Sequence, residues 1–322
     1  MRTEAMERER QRLWQVLGAP TPLPAAANAD PVWYLALMLG AAAWFAGLLL
    51  MLVTAVIWSP SGEGDFLLLA LLWGVPGLLL LRVGGSGLFP AQLGLSLLIA
   101  GECAAVIAIA LALDEPEPTL LASTMLFAVV ATIAARPAAQ VLNVLSAAVA
   151  WVLWLRWSLL GEPWDTALET RPALGTALGV WLLCWGPLLA LLLLIAGREA
   201  RWMATRPAGL LRATLIALIV ALAFATPLTQ PFDGLLTRES DGSRDWLALW
   251  PLLSLGAAGV ATAVAWQQRQ HVLTGLCGAG LLVHVGHFYY ALGVSLIAKS
   301  VVMLLMGAGL LGLALLLREK RT

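Results

Sequence analysis

Two ionisable residues, Glu102 and Lys299, stand inside long apolar runs with no opposite charge beside them in the sequence. A charge at the centre of a hydrocarbon layer costs about 2.5 to 3.5 kcal/mol on insertion scales, so each needs a partner, a wet cavity or neutralisation. Depth makes them candidates for each other. With the span boundaries given below, Glu102 is 11 residues from the outer end of its run and Lys299 is 8 from the outer end of its own. At a rise of about 1.5 Å per residue these are depths of about 16 Å and about 12 Å. One reading is an ion pair that orients two helices and does nothing else. The other is a ligand-binding or proton-relay pair, the default hypothesis for charges inside a membrane.

A second group lies close by in sequence. His284 and His287 are three residues apart, which on a helix puts them on one face, and Phe288, Tyr289 and Tyr290 follow. Ser295, Lys299 and Ser300 come next, with Ser295 and Lys299 spaced to share a helical stripe. The expected result is a polar, aromatic hairpin at the outer side, aimed at the depth of Glu102. The plainer account makes the tyrosines interfacial anchors, the histidines hydrogen-bonded rim residues, and the serines donors to their own helix carbonyls. A catalytic zinc would need a third protein ligand besides the two histidines, so no metal is expected, and no cofactor either. Cys103, Cys184 and Cys277 each sit alone, without the spacing of a metal site or a disulfide framework. The Gly84-Gly85-Ser86-Gly87 loop has no basic residue after it and is read as a turn, not a phosphate loop.

The elements that must position these residues follow from composition. Of 322 residues, 61% are apolar and only 12% charged, with a mean hydropathy of +0.87. Soluble domains carry roughly a quarter charged residues, so an ordinary soluble enzyme is excluded and a lipid bilayer is the expected solvent. At about 20 residues per crossing, about ten spans fit comfortably and leave no room for a sizeable soluble domain. The formal net charge is zero, so nothing recruits nucleic acid. All but two of the 19 basic residues, Lys299 and Lys320, are Arg, a bias that together with the Ala and Leu richness points to a GC-rich bacterial genome.

The fold class expected is all-α: a polytopic transmembrane helix bundle of about ten spans with both termini cytoplasmic. Residues 1–30 read as a cytoplasmic amphipathic helix and linker, 31–317 as a single transmembrane helical domain, and 318–322 as a basic cytoplasmic tail. The spans are 31–58, 66–81, 90–113, 119–135, 139–160, 173–196, 209–229, 246–266, 272–287 and 291–317. Pro76 and Pro187 fall within them, as membrane helices tolerate. Trp33, Trp58, Trp157, Trp202, Trp246 and Trp266 fall near span ends, as an aromatic belt requires. With the N-terminus inside, 14 basic residues face the cytoplasm, Arg82 and Arg136 among them, and four, Arg156, Arg171, Arg238 and Arg244, face out. That split obeys the positive-inside rule and supports an even number of crossings with both ends cytoplasmic; with the bacterial composition, a bacterial inner membrane is the expected location. Glycine pairs such as Gly175 with Gly179 are expected to let helices approach closely.

Ten spans would suit an inverted repeat of five. The internal similarity, Trp73-Gly74-Val75-Pro76 against Trp185-Gly186-Pro187, lies four spans apart, so both copies run the same way, whereas an inverted five-span repeat needs an odd offset.

Phe288-Tyr289-Tyr290-Ala291-Leu292, then Leu296 and Lys299-Ser300 ahead of a glycine-bearing Leu-rich helix, resembles the C-terminal motif of the bacterial DUF4401 family. The likeness extends to Leu35–Leu52 and to Gln92-Leu93 through Ala100-Gly101-Glu102. It implies a polytopic inner-membrane protein of a family without an assigned activity.

The reading that follows is a transport-like or small-ligand-binding membrane protein with an outward-facing polar cavity, not an enzyme. Glu102 and Lys299 form its charged centre, Ser295 and Ser300 its lining, and Tyr289, Tyr290, His284 and His287 its mouth. A membrane scaffold or assembly subunit for a membrane or periplasmic protein is the alternative from another class. An intramembrane metal-dependent hydrolase built on the two histidines is the third.

Overall fold

The computed structural model describes residues 33–83, 87–161, 173–202, 208–229 and 249–291, with scattered positions between 297 and 312. Every element among them is a helix: α1 (Trp33–Trp58), α2 (Glu63–Val83), α3 (Leu88–Leu113), α4 (Pro116–Ile133), α5 (Pro137–Leu160), α6 (Leu174–Trp202), α7 (Ala208–Ala223), α8 (Ala225–Thr229), α9 (Trp250–Gln267) and α10 (His271–Ala291). Seven of these, α1 to α6 and α10, are long and apolar enough to cross a membrane. Seven is thus the number of spans the described residues support, against the ten expected; the terminal segments 1–30 and 318–322, and most of 291–317, lie outside them.

Local chemistry explains the boundaries. Pro116 and Pro137 open α4 and α5, where the missing N–H would be unpaired in any case and the fixed φ suits a helix start. Asp114 ends α3 in a left-handed conformation (φ 53°), its N–H donating to the Ala110 carbonyl at 3.0 Å. At the start of α2, Asp65 accepts from the backbone N–H groups of Ser61 (3.0 Å) and Gly62 (3.4 Å), satisfying donors the helix leaves open. Its other oxygen takes the Trp58 indole N–H at 3.2 Å, which places that tryptophan at a span end as the belt reading expects.

The packing has two centres. In the first, α2 and α3 lie side by side so closely that a Cβ on Gly101 would stand 2.5 Å from the Gly74 backbone nitrogen. Leu69 and Trp73 of α2 pack there against Leu97, Ala100 and Ala104 of α3. The peripheral α1 joins through the Trp44 indole, which donates to Gln92 of α3 at 3.0 Å. In the second centre α7 is buried nearly all round, with Ala213, Leu215, Ala217, Leu218, Ile219, Ala221 and Leu222 enclosed by α5, α6, α9 and α10. Past the exposed Arg212 and the half-buried Thr214, the helix is apolar all round, as such a position requires.

At the end of the bundle where α2 and α4 finish, two arginines cross over. Arg82 donates to the Ile133 carbonyl (3.3 Å), the last residue of α4, and Arg136 donates to the Leu81 carbonyl (3.2 Å) in the last turn of α2. Cations at helix C-termini satisfy open carbonyls and oppose the dipole, and here α4 is closed by an arginine in the last turn of α2 and α2 by the arginine just after α4.

Two expectations change. A Cβ at Gly175 or Gly179 would meet nothing within 4 Å, so these are not close-approach points among the described residues; Gly101 and Gly280 are. The two Trp-Gly motifs also differ in role. Gly74 is pressed against Gly101, whereas Gly186 has open space, and Trp185 lies fully buried in the second centre.

Candidate functional site

Glu102 is buried (8% exposed) on the face of α3 that carries Leu95 and Leu98, at spacings of three and four residues. Those leucines pack against Ala134 and Ala139 across the seam with α4 and α5. Asn143 lies one turn beyond Ala139 and is also buried (1% exposed), and its amide is the polar group that meets the Glu102 carboxyl. Asn143 Nδ2 donates to the Ala139 carbonyl at 3.1 Å. Glu102 Oε1 and Asn143 Oδ1 are both buried with no hydrogen-bond partner among the described residues. Sequence reasoning selected Glu102 and missed Asn143, although an amide within the apolar run 139–160 was the available signal.

The histidine site is organised by a proline. Pro227 has no N–H to offer the carbonyl four residues back, that of Ala223, and its ring crowds that oxygen. The helix accordingly breaks at Phe224 between α7 and α8. The released Ala223 carbonyl turns toward α10 and occupies the space a Cβ would need at Gly280, so only glycine fits there. One turn on, His284 is fully buried and closes the break from the other side: its Nε2 accepts the Thr226 backbone N–H at 3.3 Å. Nδ1 lies 2.8 Å from the Gly280 carbonyl, an acceptor only, so Nδ1 carries the hydrogen and the ring is the neutral tautomer. Both ring nitrogens are therefore used in holding the break.

His287 and Tyr289 are half-buried on the same helix. Ser300 is exposed. Ser295, Lys299 and the side chain of Tyr290 lie outside the described residues, and with them the expected meeting of Lys299 with Glu102. The two groups the sequence joined belong to different packing centres: α3 is packed by α1, α2 and α4, and α10 by α7, α8 and α9. Among the described residues no cluster of three or more His, Cys, Asp or Glu side chains could hold a metal.

Arg156 corrects the sequence reading most sharply. Counted from the sequence with the outward-facing basic residues at the end of the run 139–160, it lies within α5 and is buried, 5% exposed. Its guanidinium donates to the Thr229 carbonyl at 2.9 Å, at the end of the broken helix, and lies 5.8 Å from the centre of the Trp250 ring, a cation–π distance. The Trp250 indole N–H in turn donates to the Ala177 carbonyl of α6 at 3.0 Å, and the Trp181 indole to Ser254 at 3.1 Å.

Apolar helices of this length, packed with small residues and enclosing a few buried polar groups, define the class: a polytopic helical protein of the membrane. Within it, residues 246–320 match the family model described as Domain of unknown function (DUF4401), which covers α9, α10 and the segment after them. No curated protein and no solved structure matches the chain.

Proposed function

We propose that the chain is a bacterial inner-membrane protein that binds a small molecule or ion and carries it by a transport-like mechanism, with both termini in the cytoplasm. The observation that supports this is Glu102: an ionisable side chain buried halfway along an apolar helix, met by the Asn143 amide, with its Oε1 lacking a hydrogen-bond partner among the described residues. Such groups are costly in a membrane and mark ion and substrate paths there. In this reading Lys299, Ser295 and Ser300 contribute from the last span, with Tyr289, Tyr290 and His287 near the entrance. His284 is assigned a supporting role, since both its nitrogens are committed to backbone.

The test is a melting screen of the purified full chain against sodium, potassium, phosphate, amino acids and simple sugars. A ligand that stabilises the wild type should lose its effect in Glu102→Gln and in Lys299→Met, with expression of both retained. Degradation of both variants with no ligand-dependent shift in the wild type would make these residues structural. A stable co-purifying protein in place of any ligand effect would favour a scaffold.

A further inference from the structure

We propose that the chain forms a homodimer in the membrane, in which the open face of α10 in each copy is covered by the last helix of the other. The inference does not depend on Glu102 or on any ligand. Both surfaces lie within residues 246–320, the segment that matches the family model.

Two faces of one chain stand uncovered. Toward α7, α8 and α9, α10 buries Cys277, His284 and Phe288. Its opposite side carries Val272, Gly275, Leu276, Ala279, Leu282 and Val283, all exposed, Val272 to 89%. The helical positions described between 297 and 312 are no better covered. Ile297 is 80% exposed, Val301, Leu304, Leu305, Ala308 and Leu311 are exposed with it, and no described residue among these positions is buried. Five residues separate Ala291, the last of α10, from Ile297, yet neither face covers the other within the chain. Lipid tails are as apolar as leucine, so exposure by itself does not call for a protein partner. The order of the residues does.

Residues 275–283 read GLCGAGLLV, and residues 304–312, LLMGAGLLG, read backward as GLLGAGMLL, so six of nine positions agree. The mirror point falls between Gly293 and Val294, inside the connection. A connection of five residues turns a helix back antiparallel to the one before it. On two such helices, residues equally far from the connection stand at equal depth in the bilayer. On the exposed sides this levels Gly275 with Gly312, Leu276 with Leu311, Ala279 with Ala308, Leu282 with Leu305 and Val283 with Leu304. Each face thus has a pair of small residues four apart, Gly275 with Ala279 and Ala308 with Gly312, the spacing at which membrane helices approach closely. A Cβ at Gly275 or at Gly312 would meet nothing within 4 Å, so neither pair is used inside the chain.

A two-fold axis along the membrane normal keeps equal depths equal between copies. Small residues of α10 in one copy then meet small residues of the last helix in the other, and leucine meets leucine. Such an interface is isologous and closes at two copies. Exchange brings in twelve of the exposed positions named above from each copy instead of six, which approaches the about 20 residues a side of a standard interface.

Cross-linking between differently tagged copies of the full chain tests this. One copy carries Ala279→Cys and the other Ala308→Cys, and isolated membranes holding both are oxidised. A disulfide should join the two tags, and its yield should fall several-fold when the second cysteine is placed at Gly309→Cys, round the helix from the face. Wild-type copies, which retain Cys103, Cys184 and Cys277, give the background. Should these variants fail to insert, Leu276→Cys with Leu311→Cys probes the same pairing. The mass of the wild type in mild detergent, which needs no substitution, should be that of two chains, and Ala279→Leu should shift it toward one. A monomeric wild type would overturn the proposal and leave these faces to lipid. A disulfide that closes inside a chain carrying both Ala279→Cys and Ala308→Cys, while the tags stay apart, would overturn it by folding the last helix onto its own α10. A wild-type dimer whose tags are joined by neither cysteine pair would place the contact elsewhere and overturn it too.

Discussion

His284 and Thr226 are joined through a ring nitrogen and a backbone amide, the imidazole of one helix supplying the acceptor that a proline-broken neighbour withholds. In an unbroken helix the Thr226 N–H would bond to the carbonyl four residues back. Removing the imidazole in His284→Ala leaves that buried donor unpaired, at a cost of about 1–3 kcal/mol, and opens a void in addition. His284→Gln, which can present an oxygen at the same reach, should recover part of the loss. Thermal unfolding of the purified variants reads the order, and Gln no better than Ala would assign the effect to packing alone.

Gly280 and Gly275 make a matched pair on α10. A methyl at Gly280 meets the Ala223 carbonyl head-on, whereas one at Gly275 meets nothing within 4 Å. Gly280→Ala should destabilise by about 1–3 kcal/mol, as overpacking of fixed backbone does. Gly275→Ala should be neutral or stabilise by up to about 1 kcal/mol, the difference in helix propensity. Melting temperatures that fall equally in both would contradict the close contact of α10 with the break.

Arg156 bonds to the Thr229 carbonyl and lies over Trp250, and a lysine cannot reproduce the planar guanidinium in that place. Arg156→Lys and Trp250→Phe should each lower the melting temperature. Their double mutant should lose less than the sum, with a coupling of about 0.5 kcal/mol or more. Strict additivity would mean that the ring and the cation do not interact.

The span boundaries were legible because they rest on local chemistry. The run 139–160 became Pro137–Leu160, and 90–113 became Leu88–Leu113, each ended by residues that act on their immediate neighbours. The run 209–229 was not legible as two pieces. Pro76 and Pro187 sit within helices that continue through them, while Pro227 coincides with a break. What separates it from them is Gly280 and His284 on another helix, ready to receive the displaced carbonyl and the freed N–H. Arg156 escaped for the same reason. Near the end of an apolar run an arginine reads as an interface residue, and only its partner Thr229, 73 residues away, buries it. Glu102 announced itself by charge alone, but Asn143, uncharged and bonded to the Ala139 carbonyl of its own helix, did not.

The crossed arginines at the ends of α2 and α4 also make a tether between helices that do not follow one another in the chain. Arg82 reaches Ile133 and Arg136 reaches Leu81, so the last turn of α2 and the turn between α4 and α5 hold each other through two separate hydrogen bonds. The whole of α3 lies between the tethered ends in sequence, and the clasp closes the three helices into one unit at that end of the bundle.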